Sequence, residues 1–156
     1  MKSLLADLRR HEGMRSRLYF DSLGILTVGV GHAMGYKPTP HPIQAAMNTP
    51  GVMDTPLDAE VIELLLAKDV DLVDKQIRTL AAMRGVNFET LTPNRQMALI
   101  NLGFNLGIRG LGGFNKMWIA LASRNYAEAA TQMKDSLWHR QVGQRAIELE
   151  TIMEKG

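Results

Sequence analysis

Between Pro56 and Gly85 the chain contains neither glycine nor proline, and apolar residues recur through it at helical spacing. Val61, Leu64, Leu65, Val70, Val73, Ile77 and Leu80 form the expected stripe. Thr55 with Asp58 resembles a capping box, with Pro56 at the first helical position. The pattern predicts one helix over 58–82, about 37 Å long at about 25 residues. A helix of that length exceeds the needs of a small lobe. It is therefore expected to connect two lobes, 13–57 and 83–156.

The flanks differ in period. Residues 3–12 read as a short amphipathic helix with Leu4, Leu5 and Leu8 on one face, Ser3 as N-cap and Gly13 as C-cap. This helix is expected to pack on the helical lobe. Leu18, Phe20, Ile25, Val28 and Val30 then alternate or cluster among turn residues such as "DSLG", which argues a small antiparallel sheet. Pro38, Pro40, Pro42, Pro50 and Pro56 make 34–56 the least regular stretch. Beyond the long helix, Thr92-Pro93 opens another helix, which the glycines of "GIRGLGGF" break. Shorter helices are expected at 115–123, 125–135 and 142–155. Sheet residues gathered on one side of a long helix and helices on the other indicate an α+β fold.

A chain of 156 residues with a 46% hydrophobic fraction supports one domain with its own core. The absence of cysteine excludes a disulfide scaffold, a thiolate nucleophile and cysteine-based zinc sites. His11, His32, His41 and His139 lack metal-ligand spacing, so no metal and no cofactor are expected. "MKSLLADLRRHEGM" lacks the apolar core of a signal peptide. No apolar run approaches the ~20 residues needed to span a bilayer, so membrane insertion is not expected. The net charge of +2 comes from scattered basic residues, which does not favour nucleic-acid binding.

Chemistry concentrates in "HEGMRSRLYFDSLGILTVGVGH". Glu12 ends the first helix, Asp21 follows after eight residues on a turn, and Thr27 after five more on a strand. Taken singly, each has an ordinary role: a solvated glutamate, a turn aspartate bonding its own backbone, a β-branched strand residue. Converging on one cleft, they suit glycosidic bond cleavage, where one carboxyl gives a proton and another helps water attack. His32 is expected to be structural, tied to Asp69 on the long helix. Gly29 and Gly31 lack the full dinucleotide-loop pattern, and the serines lack a nucleophile-elbow context.

The spacing of Glu12, Asp21 and Thr27, followed by "VGVGH", resembles the catalytic stretch of phage lysozymes of the T-even type. "ALINLGFNLGIRGLGGF" and "AEAATQMKDSLWHRQVGQRA" are similar to that family's helical lobe, so the resemblance runs from about Leu4 to Ala146. It implies a lysozyme-like fold and a muramidase that cuts the β-1,4 bond between N-acetylmuramic acid and N-acetylglucosamine. It makes Glu12 the general acid, Asp21 the base or charge stabiliser, and Thr27 a holder of water, in a reaction expected to invert the anomeric carbon. Phe104, Asn105, Gln132, Ala33 and Met117 fall at cleft positions, with His32 and Arg145 in supporting places.

Ala33 stands where the family has a bulky apolar residue, Met117 where it has serine, and Gln132 where it has asparagine. The 36–56 segment and the end at Gly156, without a tryptophan-containing tail, also depart from the pattern. The resemblance further implies a monomer acting on cell-wall peptidoglycan from the host cytoplasm, with a separate holin-like protein releasing it for phage lysis. Two other readings are a non-catalytic peptidoglycan-binding or phage structural module, and a lytic transglycosylase. The first does not need all three polar residues; the second does not need the water-holding pair Asp21 and Thr27.

Overall fold

The computed structural model describes residues 2–20, 26–33 and 56–156. Its elements in chain order are α1 (Lys2–Glu12), β1 (Arg15–Phe20), β2 (Leu26–Gly29), β3 (His32–Ala33), α2 (Ala59–Met83), a 3-10 turn (Phe88–Thr90), α3 (Pro93–Gly112), α4 (Asn115–Ala122), α5 (Tyr126–Lys134), α6 (Leu137–Val142) and α7 (Gln144–Lys155). The fold is α+β, as its sequence pattern indicates. Two compact units divide the chain, Met1–Asp69 and Val70–Gly156, and the division falls inside α2.

In the first unit, α1 begins at Lys2, so Ser3 lies within its first turn and is not its cap. Leu4 and Leu8 are buried, which gives the helix its inward face. Gly13 ends it as expected: its φ is +74°, and its N–H donates to Arg9 O at 2.9 Å. The sheet is antiparallel in the order β1-β2-β3. Tyr19 lies opposite Thr27, which lies opposite Ala33 on its other side, so Thr27 occupies the middle strand. The β2–β3 connection closes through Gly29 and Gly31, both at positive φ. A Cβ on Gly29 would also come within 3.0 Å of Ile62 Cγ2, so glycine lets the sheet approach α2 closely.

The start of α2 corrects the expected cap. Residues 56–58 are not helical, and Leu57 N–H donates to Ser16 O at 2.7 Å. That bond draws the chain along the sheet, so the helix begins at Ala59, and Ile62 N–H donates to Asp58 O at 3.1 Å. Thr55 lies outside the described residues. The apolar stripe is corrected too: Ile62, Leu66, Val70, Ile77 and Ala81 are buried, whereas Val61 and Leu64 are 40% and 68% exposed. Arg9 of α1 pairs with Glu63 of α2.

The second unit is built on α3. Thr92 caps it as expected, its hydroxyl accepting from Arg95 N–H at 3.3 Å, with Pro93 in the first turn. The helix breaks at Gly107 (φ 69°, ψ 161°), the first glycine of "GIRGLGGF". Gly103 packs against α2 so closely that a Cβ would fall 2.6 Å from Ile77 Cδ1. Leu99, Leu102, Leu111, Trp118, Leu121, Met133 and Met153 complete this core. Arg95 is buried and donates to Met153 O and Glu154 O at 2.8 and 2.9 Å, satisfying carbonyls in the last turn of α7. Its guanidinium lies 3.6 Å from the centroid of the Tyr126 ring. Asp74, hydrogen-bonded to Arg78 at 2.8 Å, raises that guanidinium's pKa further, and Arg78 also pairs with Glu89. Helix α6 is a separate element that the expected 142–155 helix did not include; Ser136 caps it by accepting from His139 N–H at 3.2 Å.

Candidate active site

Glu12 is the last residue of α1 and is partly exposed. The helix ends there because Gly13 adopts a left-handed conformation that an L side chain rarely takes. Thr27 is 3% exposed, placed by its register between Tyr19 and Ala33. Asp21 directly follows β1 in the chain and lies outside the described residues. Glu12 and Thr27 thus belong to the same compact unit, on a helix end and a middle strand. Ala33 belongs to β3, paired with Thr27.

His32 is where the sequence expectation put it. Its Nδ1 lies 2.7 Å from Asp69 Oδ2, with side chains 23% and 21% exposed. The pair ties β3 to α2 within the first unit. Since β3 is only two residues long, this link helps hold the sheet edge beside Thr27.

The helical-lobe candidates lie in the second unit. Phe104 is partly exposed and Asn105 is exposed on α3. Asn105 Oδ1 accepts from Trp138 Nε1 at 2.8 Å, which fixes its amide orientation from α6. Arg145 is buried; its Nε donates to Asn101 Oδ1 at 2.9 Å and its Nη2 to Asn101 O at 3.3 Å. This commits one face of the guanidinium to α3.

Met117 and Gln132 meet at one cavity of about 530 Å³, lined also by Phe114, Lys116, Asp135 and Ser136. Met117 is fully buried, so it forms floor and not rim. Gln132 Nε2 donates to Glu128 Oε1 at 2.7 Å. Sequence reasoning missed this contact, although the i, i+4 spacing of Glu128 and Gln132 on α5 is a readable signal. Among the described residues no group of three or more His, Cys, Asp or Glu could hold a metal ion. Among them, too, no helix is long and apolar enough to cross a membrane.

Comparison with known proteins converges on one family. The sequence model of the phage lysozyme family matches residues 9–152, a span holding Glu12, Asp21 and Thr27 together with every helical-lobe candidate. The pre-baseplate central spike protein Gp5 of Enterobacteria phage T4 is 28% identical over 99% of this chain, but the chain spans only 28% of that protein's length. A probable T4-type lysozyme of Dictyostelium discoideum is 26% identical over 100% of this chain and 96% of its own length. The endolysin of Salmonella phage P22 is 32% identical over 79% of this chain and 73% of its own length. With a lysozyme-like α+β fold and a family match over most of its length, the chain belongs to the phage lysozyme family and carries the domain of a lysozyme enzyme.

Proposed function

We propose that the chain hydrolyses peptidoglycan by cutting the β-1,4 bond between N-acetylmuramic acid and N-acetylglucosamine, with Glu12 as general acid. The observation that carries this reading is the presence of Glu12, Asp21 and Thr27, in that order and spacing, inside the matched span. A general acid must hold its proton at neutral pH and release it to the bridging oxygen as the bond breaks. Asp21 and Thr27 would hold the water that attacks the opposite face of the sugar. Thr27 suits that task because its side chain is nearly sealed and its backbone is pinned on both sides by the sheet. A hydroxyl so fixed has few alternative positions, which lowers the cost of ordering a water.

Water attack without a covalent intermediate inverts the anomeric carbon and needs carboxyls about 6.5–9.5 Å apart. Proton NMR of the first products of a defined glycan would give the α-anomer; the β-anomer would remove the inverting assignment. Mass spectrometry would find hydrated reducing ends, whereas anhydro-muramyl ends would make the chain a lytic transglycosylase.

Gp5 supports a second reading of where the enzyme acts: its name places that relative in a pre-baseplate central spike, and nearly all of the present chain aligns within it. The same hydrolase would then work as part of a particle, and release by a holin-like partner would not be needed. Immunoblotting of purified particles against the cleared lysate separates the two, since a free endolysin stays in the lysate.

A further inference from the structure

Helix α6 has only six residues, too few to hold a helical shape without outside contacts. Gly143 is both its C-cap and the residue before α7, at φ 59° and with no side-chain cap on α7. A glycine joint leaves the angle between α6 and α7 open unless something else fixes it.

Two consecutive side chains do so, about 100° apart around the helix. Trp138 is buried, and its Nε1 donates to Asn105 Oδ1 of α3 at 2.8 Å. His139 turns to α7, where its Nδ1 lies 2.6 Å from Glu150 Oε1. An ionised carboxylate only accepts, so this bond puts the ring hydrogen on Nδ1. Glu150 is 9% exposed, and a carboxylate so placed needs a partner.

The pair also borders a cavity of about 540 Å³ that α5 and α7 line with Ala127, Ala130 and Ile147. Packing does not brace α6 on that side, so the hydrogen bond supplies the anchor. Helix α7 is itself fixed to α3, since Arg145 Nε donates to Asn101 Oδ1. Asn101 and Asn105 lie one turn apart on α3. The bonds therefore close a circuit: α3 to α6 through Asn105 and Trp138, α6 to α7 through His139 and Glu150, and α7 back to α3 through Arg145 and Asn101.

We propose that His139 and Glu150 are positioning residues for Asn105. They hold α6, α6 holds the Trp138 indole, and the indole N–H fixes the Asn105 amide. With Oδ1 so engaged, the two N–H donors of this exposed side chain are what it offers a ligand. Donors aimed in advance bind the oxygens of a glycan at lower entropic cost. The proposal rests on the peptidoglycan reading for its ligand, and on the geometry alone for the circuit.

Two substitutions of the full chain test it. Glu150→Met removes the acceptor at similar size and leaves His139, whose side chain is 25% exposed, able to reach water. Glu150→Gln keeps an acceptor without the charge. The chain has two tryptophans, and Trp118, whose Nε1 donates to Leu111 O in the core, is the internal control. In NMR hydrogen exchange the Trp138 indole N–H should exchange about tenfold faster in Glu150→Met than in wild type, with Trp118 changed by less than about twofold. Glu150→Gln should restore most of the protection. On a soluble glycan, KM should rise about threefold to tenfold in Glu150→Met with kcat within about twofold, the signature of lost binding and not of lost chemistry. In an Asn105→Ala background the same substitution should leave KM unchanged, because its effect passes through that amide. Equal acceleration at both indoles would show general destabilisation and overturn the proposal. So would unchanged exchange at Trp138, or a KM that rises equally with and without Asn105. The exchange measurement needs no substrate, so the outcomes separate. An indole response in a chain that cuts no glycan removes the hydrolase reading and leaves the positioning link. Hydrolysis with an unchanged Trp138 rate removes the link alone.

Discussion

Thr27 and Glu12 occupy unlike surroundings, and each can be tested by a change that respects them. Thr27→Val keeps the β-branched shape that a middle strand favours and deletes only the hydroxyl. If the hydroxyl holds water, glycan cleavage should fall about 10- to 100-fold while the melting temperature changes little. A fully active Thr27→Val enzyme would remove Thr27 from the mechanism. The His32–Asp69 bond makes a separate prediction. Both side chains are largely shielded at 2.7 Å, so a double-mutant cycle with His32→Asn and Asp69→Asn should give a coupling of about 1 kcal/mol in unfolding free energy. Strictly additive losses would show that the contact does not hold β3 to α2.

At the scale of elements, Gly107 carries the sharpest consequence. Its φ of 69° and ψ of 161° belong to glycine, yet a Cβ there would meet nothing within 4 Å. Gly107→Ala should therefore cost about 1–3 kcal/mol through backbone strain and not through a clash, readable in chemical denaturation. An unchanged midpoint would mean that the break in α3 is not required. The break was legible because a glycine-rich stretch followed a strong apolar run. The cap at Thr92, the C-cap at Gly13 and the β-period around Thr27 were legible for similar local reasons. The face of α2 was not: Val61, Ile62, Leu64, Leu65 and Leu66 are apolar nearly all round. Which of them turns inward is decided by the approach of Gly29 to Ile62, a contact between distant residues. Helix α6 was hidden because six residues show less than two periods, and its cap is a single serine. The start of α2 was misplaced because a local capping signal lost to the Leu57–Ser16 bond with the sheet.

For the whole molecule, two kinds of reasoning meet. The α+β architecture follows from periodicity, while the functional reading depends on three polar residues, each of which has an ordinary role in the sequence when taken singly. Their order inside a family match over residues 9–152 gives them meaning. The helical unit adds what no motif states: Trp138 of α6 orienting Asn105 of α3, and Arg145 of α7 held on Asn101 of α3. Such features require the packed fold, because each joins groups whose roles differ along the sequence. The central claim concerns the proton that Glu12 would supply. Reducing ends released from purified peptidoglycan should be compared for the wild type and for Glu12→Gln, which keeps the size of the side chain and removes the acid. The account predicts release by the wild type and a loss of about 100- to 10,000-fold in Glu12→Gln, with the fold intact by circular dichroism. Comparable release by both proteins would contradict it.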